Sequence, residues 1–134
     1  MLIDTPSVRA VALALSMIAG AAAPVASEER DSPFVIGEGH PERPADCRTM
    51  PYWIDRAPDH SGRISLSIEG ELVGIEWDGT LAYLVVCEEP GVRVLCVTYG
   101  RDGLDIGDRV ILSGGYSRVD ERHVMLDPCL AAPP

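Results

Sequence analysis

The sequence contains no lysine, and its 11 basic residues, all arginines, stand against 21 acidic residues, which gives a net charge of −10. A surface with this balance repels nucleic-acid backbones and anionic membranes unless its arginines cluster. The absence of lysine, together with abundant alanine, glycine, proline and arginine, is typical of GC-rich bacterial genomes. The composition therefore argues against a nucleic-acid partner and indicates a bacterial source.

The N-terminus lacks an apolar run of the ~20 residues that cross a membrane. Its apolar stretch, residues 10–26, is shorter, rich in small residues and preceded by a polar segment with one base, Arg9. This pattern predicts a secretory signal peptide over residues 1–27, cleaved after Ala26 or Ser27. We therefore expect a periplasmic or secreted protein that has no membrane span in its mature form.

Two motifs of nucleophilic catalysis are also missing. The chain has no Cys-x-x-Cys pair, and Ile111 replaces the first glycine of a Gly-x-Ser-x-Gly elbow around Ser113. An even number of cysteines in an exported chain instead predicts two disulfides. The four cysteines are Cys47, Cys87, Cys96 and Cys129. The sequence therefore favours a non-enzymatic protein without a cofactor.

Residues 28–62 are rich in proline, glycine and charges of both signs, and Phe34-Val35-Ile36 is one of their few short apolar runs. Such a segment buries too little apolar surface to fold alone, which predicts an irregular, partly disordered arm. Tyr52 and Trp53 lie within it, in a short 3₁₀ or extended piece. We expect this piece to lie against the following domain, where it either covers one end or contacts a ligand.

Residues 63–77 show the alternation of a long β-strand. Apolar residues occupy even positions from Ile64 to Ile68 and odd positions from Val73 to Trp77. A strand keeps its apolar side inward across such a slip by inserting one extra residue. The pattern therefore predicts a β-bulge at Leu72-Val73 and one bent strand that serves two parts of a barrel.

Four more strands follow, and Asp78-Gly79 is a strong hairpin signal before the first of them. The predicted strands are residues 81–87, 92–98, 109–116 and 123–126. With the long first strand they make five strands within residues 63–130. The fold class that this predicts is all-β.

The turn between the second and third strands leaves two registers open. A type II turn centred on Pro90-Gly91 places Cys87 opposite Val94. A type II′ turn centred on Gly91-Val92 places Cys87 opposite Cys96, with Cα atoms ~4.5 Å apart and within disulfide reach. We favour the second register, because hairpin twist prefers primed turns.

The favoured register predicts a disulfide between Cys87 and Cys96. It leaves Cys47 in the arm and Cys129 after the last strand for each other. This second bridge would tie both ends of the mature chain to the barrel.

The long bulged strand, the following hairpin and the sequence Leu104-Asp105-Ile106-Gly107-Asp108-Arg109-Val110, with Gly114 closing the fourth strand, resemble an OB-fold. The resemblance implies a small five-stranded antiparallel barrel. The family usually places a helix between its third and fourth strands, where this chain has only residues 99–108, so a shortened or SH3-like barrel stays open. OB-folds bind oligonucleotides, oligosaccharides, peptides or haem, so the resemblance does not select a ligand.

The leading hypothesis for function is a non-enzymatic binding module for a protein or a small-molecule ligand at the cell envelope. Exposed aromatic residues and arginine are favoured anchors in binding surfaces. The candidate contact residues are Tyr52 and Trp53 in the arm, with Tyr83 and Arg93 on the second and third strands. Nucleic-acid binding needs a basic groove with several stacking aromatics, and these strands offer too few.

The rival hypothesis is a metal-binding protein or a metal-dependent hydrolase. His123 and Met125 share one face of the fifth strand, where they could bind a soft ion such as copper. The acidic 102–108 loop, with Asp102, Asp105 and Asp108, would supply further ligands. The period of three between these acids differs from the alternation in a calcium loop of the EF-hand type, which favours solvated turn residues.

Overall fold

The computed structural model describes residues 14, 20, 31–101 and 103–134. The predicted signal peptide, residues 1–27, lies outside the described residues apart from two isolated positions. Residues 32–101 and 103–134 form seven strands and a short helix: β1 (Phe34–Ile36), β2 (Ala45–Asp46), α1 (Met50–Ile54), β3 (Ile64–Trp77), β4 (Ala82–Val86), β5 (Arg93–Thr98), β6 (Arg109–Asp120) and β7 (His123–Ala132). Within the described ranges, no helix is both long enough and apolar enough to cross a membrane.

Five of the strands, β3 to β7, close a barrel in the order β3-β4-β5-β7-β6, and β6 pairs again with β3. The neighbouring strands are antiparallel except for β5 and β7, which are parallel. This topology confirms the predicted all-β, OB-like barrel of five strands. The prediction of a wholly antiparallel barrel missed the β5–β7 pair.

The predicted bulge in β3 is confirmed. The register with β4 shifts between Leu72 and Gly74, so Val73 is the extra residue. Leu72 before the bulge is buried, and Ile75 after it packs against the core. Trp77, the last residue of the strand and a predicted inward residue, is 47% exposed.

The barrel interior is filled by alternate residues of every barrel strand. In β4, for example, Ala82, Leu84 and Val86 face inward while Tyr83 and Val85 lie on the outer face. Burying each large aliphatic side chain contributes about 1.5–3 kcal/mol. The fully buried large aliphatic side chains of the barrel strands are Leu66, Ile68, Leu72, Leu84, Val86, Val94, Val110, Leu112, Val124 and Leu126.

The described part of the predicted arm, residues 31–62, contains β1, β2 and α1. β1 pairs antiparallel with the start of β3, and β2 pairs parallel with its middle. Asp46 and Thr49 exchange two hydrogen bonds of 2.8 and 3.0 Å between side chain and backbone, which sets the turn into α1. Pro51 then lies in the first turn of the helix, where its missing N–H costs nothing.

α1 closes one end of the barrel core. Met50 and Ile54 are buried in the same cluster as the strand residues. Arg118 of β6 donates from Nη1 to the carbonyl oxygen of Ile54 at 3.3 Å, which fastens the helix to the barrel. Among residues 99–101 and 103–108 there is no helix, so the helix that contacts this barrel comes from the N-terminal segment instead.

Two disulfides are present, but the predicted pairing is wrong. Cys47 bonds to Cys87 and Cys96 bonds to Cys129, with Cα separations of 5.3 and 5.4 Å. The β4–β5 register pairs Val86 with Val94, which is neither of the two registers that turn chemistry suggested. Cys87 therefore leaves the ladder with a φ of 70°, and its side chain reaches the arm rather than β5.

The Cys96 side chain is fully buried on the inner face of β5. β7 is its neighbour in the barrel, and Cys129 of β7 lies opposite Gly114 of β6. The missing side chain at Gly114 leaves room for the bridge, because a Cβ there would lie 2.9 Å from the Cys129 Cα atom. The second disulfide therefore joins two barrel strands rather than the two ends of the mature chain.

Candidate functional site

An apolar groove lies on the outer face of β4, β5 and β7. Val85 pairs with Leu95, and Leu95 pairs with Met125, so these three side chains form one row across the three strands. Their sequence neighbours Leu84 and Val124 point into the core, which places the row on the outside. The groove has a volume of about 610 Å³ and is lined by Val85, Arg93, Leu95, Val119, Asp120, His123, Val124 and Met125.

One end of the groove carries its charged groups. Arg93 and His123 are neighbours in the parallel β5–β7 register, two residues before the apolar row. Arg93 is exposed. Among residues 31–101 and 103–134, no carboxylate lies within 4.0 Å of its guanidinium. The groove therefore ends at a cation that has no ionic partner in the described chain.

His123 is held by Asp120 across the β6–β7 turn. The Nδ1 atom of the ring lies 2.7 and 2.9 Å from the two carboxylate oxygens of Asp120. Because an ionised carboxylate only accepts hydrogen bonds, the ring donates from Nδ1. These two contacts leave the Nε2 atom as the ring nitrogen that could bind a ligand or a metal ion. The Arg122 backbone N–H also donates to Asp120, at 2.8 Å.

These contacts lower the pKa of the Asp120 carboxyl, first through the Arg122 backbone N–H and then through His123. We expect NMR titration to place the pKa of Asp120 below 3.8 and the His123→Ala variant to raise it only part of the way back, because the larger contribution remains. Since the folded-state pKa is lowered, the stabilisation is complete above the unfolded value and is lost as pH falls through the folded value. A normal pKa in the wild-type protein would contradict this network.

Tyr83, a predicted contact residue, is tied to the β3–β4 turn. Its hydroxyl donates to the Asp78 carboxylate at 2.9 Å, and the other Asp78 oxygen accepts from the backbone N–H groups of Thr80 and Leu81. These bonds lower the pKa of Asp78, with Leu81 as the largest cause, and raise the pKa of Tyr83. Gly79 has a φ of 98° in this turn, as the predicted hairpin signal requires.

Tyr52 and Trp53 lie together on α1, with ring centroids 4.9 Å apart in an edge-to-face arrangement. The Arg56 guanidinium covers the Tyr52 ring at 3.6 Å and donates to the Tyr52 carbonyl oxygen at 2.7 Å. Neither aromatic residue lines the groove. The four predicted contact residues are therefore divided among three places, and only Arg93 borders the groove.

The predicted metal ligands His123 and Met125 both line the groove. The acidic loop lies elsewhere, because it follows the far end of β5 and the six steps along the strand from Arg93 to Tyr99 span about 20 Å. In that loop Asp108 accepts from the Asp105 backbone N–H at 2.9 Å, and Asp102 lies outside the described residues. No cluster of three His, Cys, Asp or Glu side chains with metal-site geometry occurs in the described chain.

The sequence analysis did not identify Val85, Leu95 and Val119 as candidate site residues, although they line the groove. The signal was present, because residues 81–87 and 92–98 are apolar at outward as well as inward positions. An outward apolar residue on a closed barrel strand either lies under another element or remains on the surface. Val85 and Leu95 are only half-buried, and Val119 on the groove wall is 61% exposed.

Comparisons with known proteins give little similarity in sequence. No family model matches the chain, and no curated protein matches it. Among solved structures, it is similar to a chain described as "Crystal structure of S. pombe Stn1-ten1 complex", with 15% identity and a TM-score of 0.38. The match covers 54% of this chain and 60% of that one. The fold assignment rests on the strand order of the barrel.

Proposed function

We propose that this protein is an exported, non-enzymatic binding module of a bacterial cell envelope, with the groove on β4, β5 and β7 as its ligand surface. The observation that carries the proposal is the apolar row of Val85, Leu95 and Met125 beside Arg93, whose guanidinium has no carboxylate within 4.0 Å in the described part of the chain. Small-molecule and protein ligands alike are held by apolar surface with a few placed polar groups. A protein or a small molecule is therefore the expected ligand.

Export is supported by the cysteines and by the N-terminal sequence. All four cysteines form disulfides. Such bonds persist in oxidising compartments such as the periplasm. The apolar, small-residue-rich stretch before residue 27 has the composition of a cleaved signal. We expect mature protein from a periplasmic or secreted fraction to begin at Ser27 or Glu28.

Nucleic acid is not the expected ligand. Binding of single strands uses stacked aromatic residues along a basic groove. The floor of this groove is aliphatic, and the one aromatic residue of β4, Tyr83, bonds to Asp78. Arg93 is the only arginine among the lining residues, and that is too little positive charge for a basic groove.

A photo-crosslinking amino acid in place of Leu95 tests the ligand surface in living cells. We expect it to capture a discrete partner or ligand in the envelope fraction. The matched control replaces Ile106, which is 66% exposed and lies in the loop between β5 and β6, outside the groove. Identical crosslinked products from both positions would contradict the proposal, because they would show non-specific contacts with the protein surface.

A metal-binding function is the second candidate. Metal-ligating histidines donate their other ring N–H to a carboxylate, which is the relation of His123 to Asp120. Met125 on the same face offers a soft sulfur ligand. Stoichiometric copper in the purified protein, lost in a His123→Ala variant, would replace the leading proposal with this one.

A further inference from the structure

We infer that the groove binds an amphiphilic carboxylate, a hydrocarbon chain that ends in one carboxylate group, as in a free fatty acid. The inference rests on the proposed function, since it takes the groove as the ligand surface. It goes further by naming the chemistry of the ligand. The apolar row holds the chain, and Arg93 holds the carboxylate.

The floor of the groove selects against an extended peptide. β4 pairs with β3 and β5, β5 pairs with β4 and β7, and β7 pairs with β5 and β6. Both edges of all three floor strands are therefore occupied, and a peptide lying across them would find no backbone partners. Amide groups buried without partners are costly, whereas a hydrocarbon chain has none to bury.

The dimensions suit a small ligand. The volume of about 610 Å³ falls within the range of about 300–1,000 Å³ that is usual for small-molecule sites. Val85, Leu95 and Met125 lie side by side on neighbouring strands, so the apolar floor is about 10 Å wide. Val119 stands beside this floor as a further apolar contact.

The head group follows from the charges at the groove end. Arg93 lies two residues from Leu95 on the same face of β5, about 7 Å away along the strand. A guanidinium binds a carboxylate through two parallel hydrogen bonds. Asp120 also lines the groove, although His123 and the Arg122 backbone N–H already bind its carboxylate. The negative charge of Asp120 would repel a dianionic phosphate more strongly than a group with one charge. A carboxylate bound at Arg93 is therefore favoured.

Isothermal titration calorimetry with dodecanoate, below its micelle concentration, tests the inference. We expect one dodecanoate to bind per chain, and dodecyltrimethylammonium, which has the same tail and the opposite charge, to bind at least tenfold more weakly. Arg93→Gln should weaken dodecanoate binding about tenfold, since a hydrogen bond to a charged group is lost. Arg101→Gln, at the other end of β5, should leave the affinity unchanged. Thermal unfolding of both variants checks that the barrel is intact.

Three outcomes would overturn the inference: no binding of dodecanoate, equal binding of the cationic amphiphile, or equal affinity of the Arg93→Gln and Arg101→Gln variants. The proposed function has a separate readout in the crosslinker at Leu95. If that crosslinker captures a partner while dodecanoate fails to bind, the groove remains the ligand surface and only the ligand class is wrong. If the Leu95 and Ile106 positions give the same products, the groove itself fails.

Discussion

Replacing Cys96 and Cys129 together with serine should lower the free energy of unfolding by about 4 kcal/mol, as chain entropy predicts for a bridge of this span. The two cysteines are 33 residues apart, and the bond joins β5 to β7 inside the barrel. Both residues are buried, so the serine hydroxyls add a desolvation cost to the lost constraint. Urea unfolding followed by circular dichroism measures the change.

The matched comparison is the double variant of Cys47 and Cys87. Its bridge spans 40 residues, so the entropy term is again about 4 kcal/mol. The consequence differs, because this bond joins the segment with β2 and α1 to the end of β4. We expect hydrogen exchange in this variant to rise first in residues 45–54 while the barrel strands stay protected. Recovery of a Cys87–Cys96 peptide from the wild-type protein under non-reducing conditions would contradict the pairing on which both expectations rest.

Replacing Gly114 with alanine should destabilise the protein by about 3 kcal/mol or more, because the new methyl group meets backbone that cannot move away. A Cβ at this position would contact the Pro128 carbonyl oxygen and lie 2.9 Å from the Cys129 Cα atom. β6 would have to move away from β7 beside Cys129, and β7 cannot follow because the Cys96–Cys129 disulfide fixes it to β5. Chemical unfolding, with non-reducing mapping of the disulfides, measures both effects.

Gly74→Ala is the control, since Gly74 also lies in a barrel strand. Its Cβ would lie 3.3 Å from the Val85 Cβ atom, a side chain on the outer face that can adjust. Its effect should stay within about 1 kcal/mol in either direction. Equal losses from the two variants would show that the close approach of β6 and β7 is not what makes Gly114 necessary.

The alternation of apolar and polar residues was sufficient to predict the five barrel strands and the bulge in β3. The shift of apolar residues from even to odd positions placed the bulge at Leu72-Val73, because a period of two records which side of a strand faces the core. The pairing of cysteines was not encoded in this way. It depends on a six-residue turn, residues 87–92, in which Cys87 adopts positive φ. Both two-residue turn templates place their positive-φ residue at Gly91 instead.

The composition of residues 28–62 predicted an irregular arm because it takes account of that segment alone and not of the barrel against which it packs. Met50 and Ile54 are buried because the barrel end supplies apolar surface, which is a tertiary contribution that composition does not record. The groove was missed for a related reason. Leu95 could be identified as an outward apolar residue only once the barrel was closed and both faces of β5 were assigned.

The position of β7 between β5 and β6 constrains how the chain can mature. β7 is the seventh strand in sequence, so β5 and β6 wait for it before the barrel can close. During this interval Cys47, Cys87 and Cys96 are available to an oxidant before Cys129 is brought into place. A Cys87–Cys96 bond formed at that stage would be non-native and would have to rearrange to reach the two final disulfides. We therefore expect a thiol–disulfide exchange catalyst to raise the yield of correctly paired protein.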